Sequence, residues 1–253
     1  MSKCKLCGEE KPLLKKSHIF PEFLHRELYD EKHRLIKINL TVETHRIEKI
    51  SNPLKGEYDE NLLCKECDGN RIGSFESYVG KILSKAELPE QQKLKCEKIV
   101  IETGFEFLKI NNLDYRIVKL FLLSILWRSG ISKRQTFKEV SLGLYEEKIR
   151  MKLFENEPST DNDIPIVILS WNNDNVIPND VIMQPMKHRY DGKTFYSLIF
   201  NGYIVQYFIS ENAIPEAFND FRLKEDNSLS IIYLPKGKGI DYIFKIIGLT
   251  KQK

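Results

Sequence analysis

Two short stretches decide the fold of this chain: CKLC at residues 4–7 and CKEC at residues 64–67. Two residues between two thiolates let both sulfur atoms reach one ion while the backbone turns, and Gly8 relieves the first turn. Four thiolates complete the tetrahedral coordination of zinc with no open position. The spacing therefore predicts a structural Zn²⁺ site formed by Cys4, Cys7, Cys64 and Cys67. Redox-active cysteine pairs are the alternative interpretation, although no βαβ pattern surrounds either pair.

The bulk properties of the chain favour a cytoplasmic protein without a membrane partner. It has 253 residues, of which 42% are hydrophobic and 30% charged, a composition typical of soluble proteins. The first residues lack the apolar stretch of a secretory signal. The most apolar run, 117–127, has about half the length of a bilayer span and contains Lys119. The net charge of +3 gives no positive support for nucleic-acid binding, although a local basic patch can supply the attraction.

A change in sequence character divides the chain into two predicted domains. Residues 1–90 are rich in Cys, His and Gly, and we expect them to form a zinc-binding module. A polar segment around Pro89 marks the boundary, and residues 91–253 are expected to form an α+β domain. Helices are predicted over about 114–155 and strands over about 164–247.

Local turn and cap signals refine the second predicted domain. Asp114 can cap a helix that starts directly after it. Asn201-Gly202 between two β-rich runs predicts a tight hairpin. The run 241–247, rich in β-branched and aromatic residues, is predicted to be the last strand. We therefore expect an antiparallel sheet beside two helices, in the α+β class.

Two further phrases lie between the cysteine pairs and around the second one. They are SHIFP at residues 17–21 and GEYDENLLCKECDGN at residues 56–70. The order Cys-x-x-Cys, His-x-x-Pro, Leu-Cys-x-x-Cys resembles the HNH family of nucleases, many of which hold a structural zinc with two such cysteine pairs. The resemblance covers roughly residues 4–80 and implies a ββα-metal fold, with residues 22–55 as an insertion.

The resemblance also implies roles for individual residues. His18 matches the catalytic histidine of the family, a general base that takes a proton from water. Asp59 or Asn61 matches the family's asparagine. Asp68 stands where the family has a histidine and would bind a catalytic Mg²⁺ or Mn²⁺ ion. Ser17 stands where the family usually has a charged or imidazole metal ligand.

Each of these residues has a structural interpretation as well. His18 could be a hydrogen-bonded histidine inside a zinc-held fold. Asp68 could be a helix N-terminal carboxylate favoured by the macrodipole. Asp59 and Asn61 could be turn formers at a strand end.

The resemblance implies a metal-dependent endonuclease that cleaves nucleic acid, with DNA as the expected substrate. HNH-like modules joined to unrelated domains occur in bacterial anti-phage and restriction systems. The second domain, 91–253, would then bind a protein partner or form a homo-oligomer. The alternative is a catalytically inactive, zinc-bearing module for binding or assembly.

Overall fold

The chain forms a mixed α+β fold with one large sheet and several helices. The computed structural model describes residues 2–41, 46–174, 178–210 and 213–246. The strands are β1 (Ser17–His18), β2 (Lys37–Thr41), β3 (Arg46–Ser51), β4 (Tyr58–Asp59), β5 (Lys95–Val100), β6 (Glu106–Asn111), β7 (Ile166–Ser170), β8 (Ile182–Tyr190), β9 (Lys193–Phe200), β10 (Tyr203–Phe208) and β11 (Leu229–Tyr233). The helices are α1 (Gly73–Leu83), α2 (Tyr115–Ile131), α3 (Leu144–Glu155) and α4 (Gly239–Ile246).

Shorter helical segments complete the described chain. A π-helical segment, Glu66–Ile72, leads directly into α1. The 3₁₀ segments are Glu22–Leu28, Glu90–Gln92, Gln135–Phe137 and Glu216–Phe221. None of the helices within the described ranges has the length and apolar character needed to cross a bilayer.

The large sheet has seven strands in the order β5-β6-β11-β7-β10-β9-β8. Five of its six strand pairings are antiparallel, as predicted, but the prediction fails at one pairing, because β11 runs parallel to β7. After β10 the chain passes β7 and returns in the opposite direction to β10. Since β7 also runs opposite to β10, β11 has the same direction as β7. Its other neighbour, β6, is antiparallel to it, as are all remaining pairs in this sheet.

The hairpin predicted at Asn201-Gly202 is confirmed. It joins β9 to β10, and both residues have positive φ, 47° for Asn201 and 79° for Gly202. Two positive φ values define the turn whose twist matches a two-residue hairpin. Asp191-Gly192, with φ values of 49° and 72°, joins β8 to β9 in the same way.

The segment predicted as the last strand, 241–247, forms the helix α4 as far as Ile246, and residue 247 lies outside the described residues. Its sequence alternates apolar side chains and so suits a strand. However, Tyr242, Ile243 and Ile246 also follow the helical spacing i, i+1, i+4 and share one face. That face packs against the apolar core on one side of the large sheet. Burial of this face, rather than strand pairing, decides the conformation.

The helix α2 is the centre of the larger of two cores. It is largely buried, which explains why apolar residues occupy most of its positions on every side of the helix. The Asp114 cap is confirmed, because its Oδ1 accepts a hydrogen bond of 2.9 Å from the Ile117 amide. This core contains Ile19, Leu24 and Phe75 as well as residues of the sheet, so it runs across residue 90 without a break. The division into domains at residue 90 stays a prediction.

The hairpin turn supports a test of stability. Because a Cβ at Gly202 would occupy the place of the Asn172 side-chain amide, Gly202→Ala displaces that amide from its hydrogen bond to the Asn201 carbonyl and adds this loss to the cost of positive φ. We expect it to lower the free energy of unfolding by about 2 kcal/mol in urea denaturation. The matched control, Gly192→Ala, meets no atom within 4 Å and should cost about 1 kcal/mol. Equal losses for the two variants would contradict this account of the turn.

Candidate functional site

Four cysteine sulfur atoms converge near the start of the chain. The Sγ atoms of Cys4, Cys7, Cys64 and Cys67 all lie within 4.8 Å of one another. Three of these side chains are buried and Cys7 is partly exposed. This cluster could hold a metal ion such as zinc, as the spacing predicts. Among the described residues, no other group of three or more His, Cys, Asp or Glu side chains is close enough together to share a metal ion.

The backbone around the cluster is shaped for sulfur ligands. Gly8 has φ of 75° and donates its amide to the Cys4 carbonyl at 2.9 Å, which closes the first turn. The Cys64 amide donates to Cys4 Sγ at 3.4 Å. Burial raises the pKa of the Cys4 thiol, but backbone hydrogen bonds outweigh burial and the net pKa is lowered, whereas burial raises the pKa of the Cys7 and Cys67 thiols. In the absence of metal, Cys4 is therefore the member of the three that most readily forms the thiolate, the form that binds metal.

The cluster aligns a pair of very short strands. A bridge between Leu13 and Cys64 leads into the antiparallel pairing of β1 with β4, in which His18 lies opposite Tyr58. The His18 side chain is 35% exposed. Its Nε2 lies 3.7 Å from Glu22 Oε2, and its ring is 6.5 Å from the ring of Tyr58 in an edge-on arrangement. His18 is therefore reachable from solvent and has one carboxylate neighbour.

Asp68 directly follows Cys67 in the π-helical segment Glu66–Ile72, close enough to His18 for the imidazole charge to act on its carboxyl. Burial raises the pKa of its carboxyl, while the charges of Arg128 and His18 and the hydroxyl of Ser17 oppose this shift. Ser17 Oγ and Asp68 Oδ1 are both buried and close enough for the hydroxyl to lower the pKa of the carboxyl, but their geometry falls outside that of a standard hydrogen bond, and neither has another partner in the described part of the chain. Two neighbouring buried oxygens that are not fully satisfied mark a place where a water molecule or a cation would be stabilised.

A buried arginine of α2 stabilises the backbone around His18. Arg128 is only 2% exposed. Its guanidinium donates to the His18 carbonyl at 2.8 Å and forms an ion pair with Glu76 Oε1 at 2.8 Å. Its Nε and Nη2 bond to the backbone and hydroxyl of Ser124. Arg128 therefore ties the backbone of β1 and the helix α1 to the central helix.

Asp59 and Asn61, the two other residues that the sequence suggested for the site, have different surroundings from those of His18 and Asp68. The Asp59 carboxylate accepts hydrogen bonds from the Ser132 hydroxyl at 2.9 Å and from the amides of Lys133 and Glu60 at 2.8 and 2.7 Å. Burial raises the pKa of Asp59, but these bonds outweigh burial and the net pKa is lowered. Asn61 is exposed with φ of 57°, a conformation that suits a turn. The structure thus brings His18 and Asp68 together and directs the Asp59 carboxylate to the loop after α2.

Sequence reasoning missed Arg128 and Tyr58. An arginine close to the end of a mainly apolar helix was the only local signal for Arg128, because its partner His18 lies 110 residues away. Tyr58 is the cross-strand neighbour of His18, and two cations approach its ring, with Lys16 Nζ at 5.0 Å and Arg134 Cζ at 5.1 Å from the ring centre. No pattern in the sequence relates Arg134 to this site.

Comparison with known proteins gives no neighbour. No family model matches the chain, and no match is found among the curated proteins or among the solved structures.

Loss of one thiolate should destabilise the fold. We expect Cys64→Ser to reduce bound zinc, measured by elemental analysis, and to lower the unfolding midpoint by about 10 °C, which corresponds to about 3 kcal/mol. Cys96→Ser is the matched control, because Cys96 is exposed and outside the cluster. It should keep one zinc per chain and the original midpoint. A wild-type protein that purifies without metal and does not bind added zinc would contradict the assignment.

Removal of the buried guanidinium should cost more than removal of a similar arginine on the same helix. Arg128→Met leaves Glu76 and the His18 carbonyl without a partner, and we expect a loss of about 3 kcal/mol in the free energy of unfolding. Arg116→Met removes one hydrogen bond, to Asn156, and should cost about 1 kcal/mol. Equal losses in urea denaturation would show that Arg128 does not have the structural role assigned to it.

Proposed function

We propose that this chain is a metal-dependent endonuclease of the HNH type that cleaves phosphodiester bonds in nucleic acid, with DNA as the first candidate substrate. The observation that carries the proposal is the placement of His18. It is a partly exposed imidazole on β1, which pairs with β4; the helical segment that follows β4, Glu66–Ile72, contains Asp68, and four cysteines lie at the base of this unit. This order of elements agrees with the ββα arrangement implied by the HNH resemblance.

The proposed chemistry assigns the base to His18. Its imidazole takes a proton from a water molecule as that water attacks phosphorus, and the bond to the leaving oxygen breaks. Glu22, 3.7 Å from Nε2, then stabilises the imidazolium that forms. Arg128 keeps the backbone of His18 in place through its bond to the carbonyl. None of these steps needs a side chain to move far.

The incompletely satisfied oxygens of Ser17 and Asp68 fit a hard divalent ion. Carboxylate and hydroxyl oxygens with water ligands are the donors that Mg²⁺ accepts. Asp68 would hold such an ion, which would neutralise charge on the phosphate. The Arg128 charge next to this position is offset by its ion pair with Glu76. The four cysteines would hold the structural Zn²⁺.

Positive charge beside His18 favours a polyanionic substrate. Lys16 Nζ and Arg134 Cζ lie 5.0 and 5.1 Å from the centre of the Tyr58 ring, and neither side chain forms an ion pair with a described residue, although Arg134 donates to the Tyr58 carbonyl. Their charges are therefore available to a phosphate close to the imidazole.

The second candidate function is a zinc-bearing binding or assembly module without catalysis. Two observations favour it: Ser17 carries no charge, and the Asp59 carboxylate is fully used in hydrogen bonds. Under this hypothesis His18 has a structural role only.

Plasmid cleavage separates the two candidates. With Mg²⁺ or Mn²⁺, we expect the wild-type protein to nick supercoiled DNA and His18→Asn to lower the rate by about 100-fold or more, because a positioned general base contributes about that factor. His33→Asn is the matched control, since His33 is exposed with φ of 54°, which asparagine tolerates. It should cleave at the wild-type rate. Equal rates for all three proteins, or no cleavage of DNA or RNA by zinc-loaded wild type, would contradict the nuclease proposal.

A further inference from the structure

A cleft of about 290 Å³ opens between the 3₁₀ segment 22–28 and the helix α1. The 3₁₀ segment supplies Phe23 and Arg26, and α1 supplies Glu76, Ser77 and Lys81. One wall is apolar and fixed, because Phe23 stacks on Phe121 with ring centres 6.0 Å apart. The opposite wall is polar.

The two cations of the cleft have no counter-ion. Arg26 and Lys81 are exposed, and their side chains form no ion pair or hydrogen bond with any residue the structure describes. Glu76 is the only acidic residue that lines the cleft within the described ranges, and its charge is offset by the buried Arg128. The cleft therefore presents two free positive charges and the exposed Ser77 hydroxyl, which suits an anion.

The cleft lies next to the proposed catalytic histidine. Glu76 at its inner end contacts Arg128, and Arg128 in turn bonds to the His18 carbonyl. At the start of the 3₁₀ segment, Glu22 lies 3.7 Å from His18. Arg26 follows four residues later, about 8 Å along the segment at about 2 Å per residue.

We propose that this cleft binds the phosphate backbone of a nucleic acid on one side of the scissile bond, with Arg26 and Lys81 as the phosphate ligands. The inference rests on the proposed nuclease function and extends it to substrate binding. Both residues act by charge on the backbone, so they contribute to affinity for any sequence. They do not touch the reacting phosphate and are not catalytic residues.

Binding without cleavage tests this proposal. In a His18→Asn, zinc-loaded background, fluorescence anisotropy would measure the Kd of a fluorescein-labelled DNA oligonucleotide, as single strand and as duplex, over a range of salt concentrations. We expect Arg26→Ala with Lys81→Ala to raise Kd by about 10-fold to about 30-fold at 0.15 M salt. The slope of log K against log salt should become shallower by about 2, the value for two lost phosphate contacts.

The matched control removes one lysine and one arginine elsewhere. Lys187→Ala with Arg189→Ala takes two exposed cations from the edge strand β8 and should leave Kd and the salt slope unchanged. Arg26→Gln with Lys81→Gln repeats the test with long polar side chains, and unfolding midpoints and zinc content confirm that each variant is folded.

The outcomes separate this inference from the proposed function. If the cleft variants bind DNA as tightly as their parent, or if the parent binds no DNA at all, the inference is overturned. If wild type cleaves DNA, and Arg26→Ala with Lys81→Ala binds normally in the His18→Asn background and cleaves normally in the wild-type background, the nuclease proposal stands and the cleft proposal fails. If the cleft variants lose affinity but wild type never cleaves, the cleft is a phosphate site of a binding module.

Discussion

The convergence of four cysteine sulfurs within 4.8 Å is the constraint on which the first part of the structure depends. It joins a turn at the start of the chain to the beginning of a helix about sixty residues later. Closing a loop of this length costs several kcal/mol of conformational entropy, which the bonds formed within the cluster must offset. The paired strands β1 and β4 have only two residues each, too few to be stable alone. Because the cluster fixes their ends, such a small ladder can hold His18 in a defined position.

Three arginine side chains connect the part of the chain that contains the cysteine cluster to the helices α2 and α3. Arg150 of α3 donates to the carbonyl of Leu6, which lies between the first two cysteines, at 2.5 Å. Arg71 contacts the carbonyl of Phe154 at the end of α3, and Arg128 of α2 bonds to His18. All three guanidinium groups end at backbone carbonyls. An arginine can do this because its rigid fork satisfies several acceptors at once, which the point charge of lysine does not.

The sequence specified those features whose cause is local. The cysteine spacing, the Asp114 cap and the Asn201-Gly202 turn each depend on a few neighbouring residues, and the structure contains all of them. The conformation of α4 was not predictable in this way, because 240, 242, 244 and 246 alternate like a strand while 239, 242, 243 and 246 follow a helix. Only the packing of the second set against the sheet decides between them. Arg128 at the candidate site depends in the same way on distant packing, since a separation of 110 residues leaves no pattern in the sequence.

The electrostatics of the first 90 residues explain how a neutral segment can present positive charge. It contains 16 Lys and Arg and 16 Asp and Glu, so its net charge is zero. Several of its acidic residues form ion pairs within the fold, among them Glu66 with Lys11, Asp30 with Arg34, Glu57 with Lys37 and Glu76 with Arg128. Lys16, Arg26 and Lys81 form no ion pair with a described residue. A polyanion that approaches within a Debye length, about 8 Å, responds to the charges nearest to it more than to the sum over the segment. Net charge therefore does not describe the surface around His18, and the placement of the unpaired cations determines where a phosphate would be attracted.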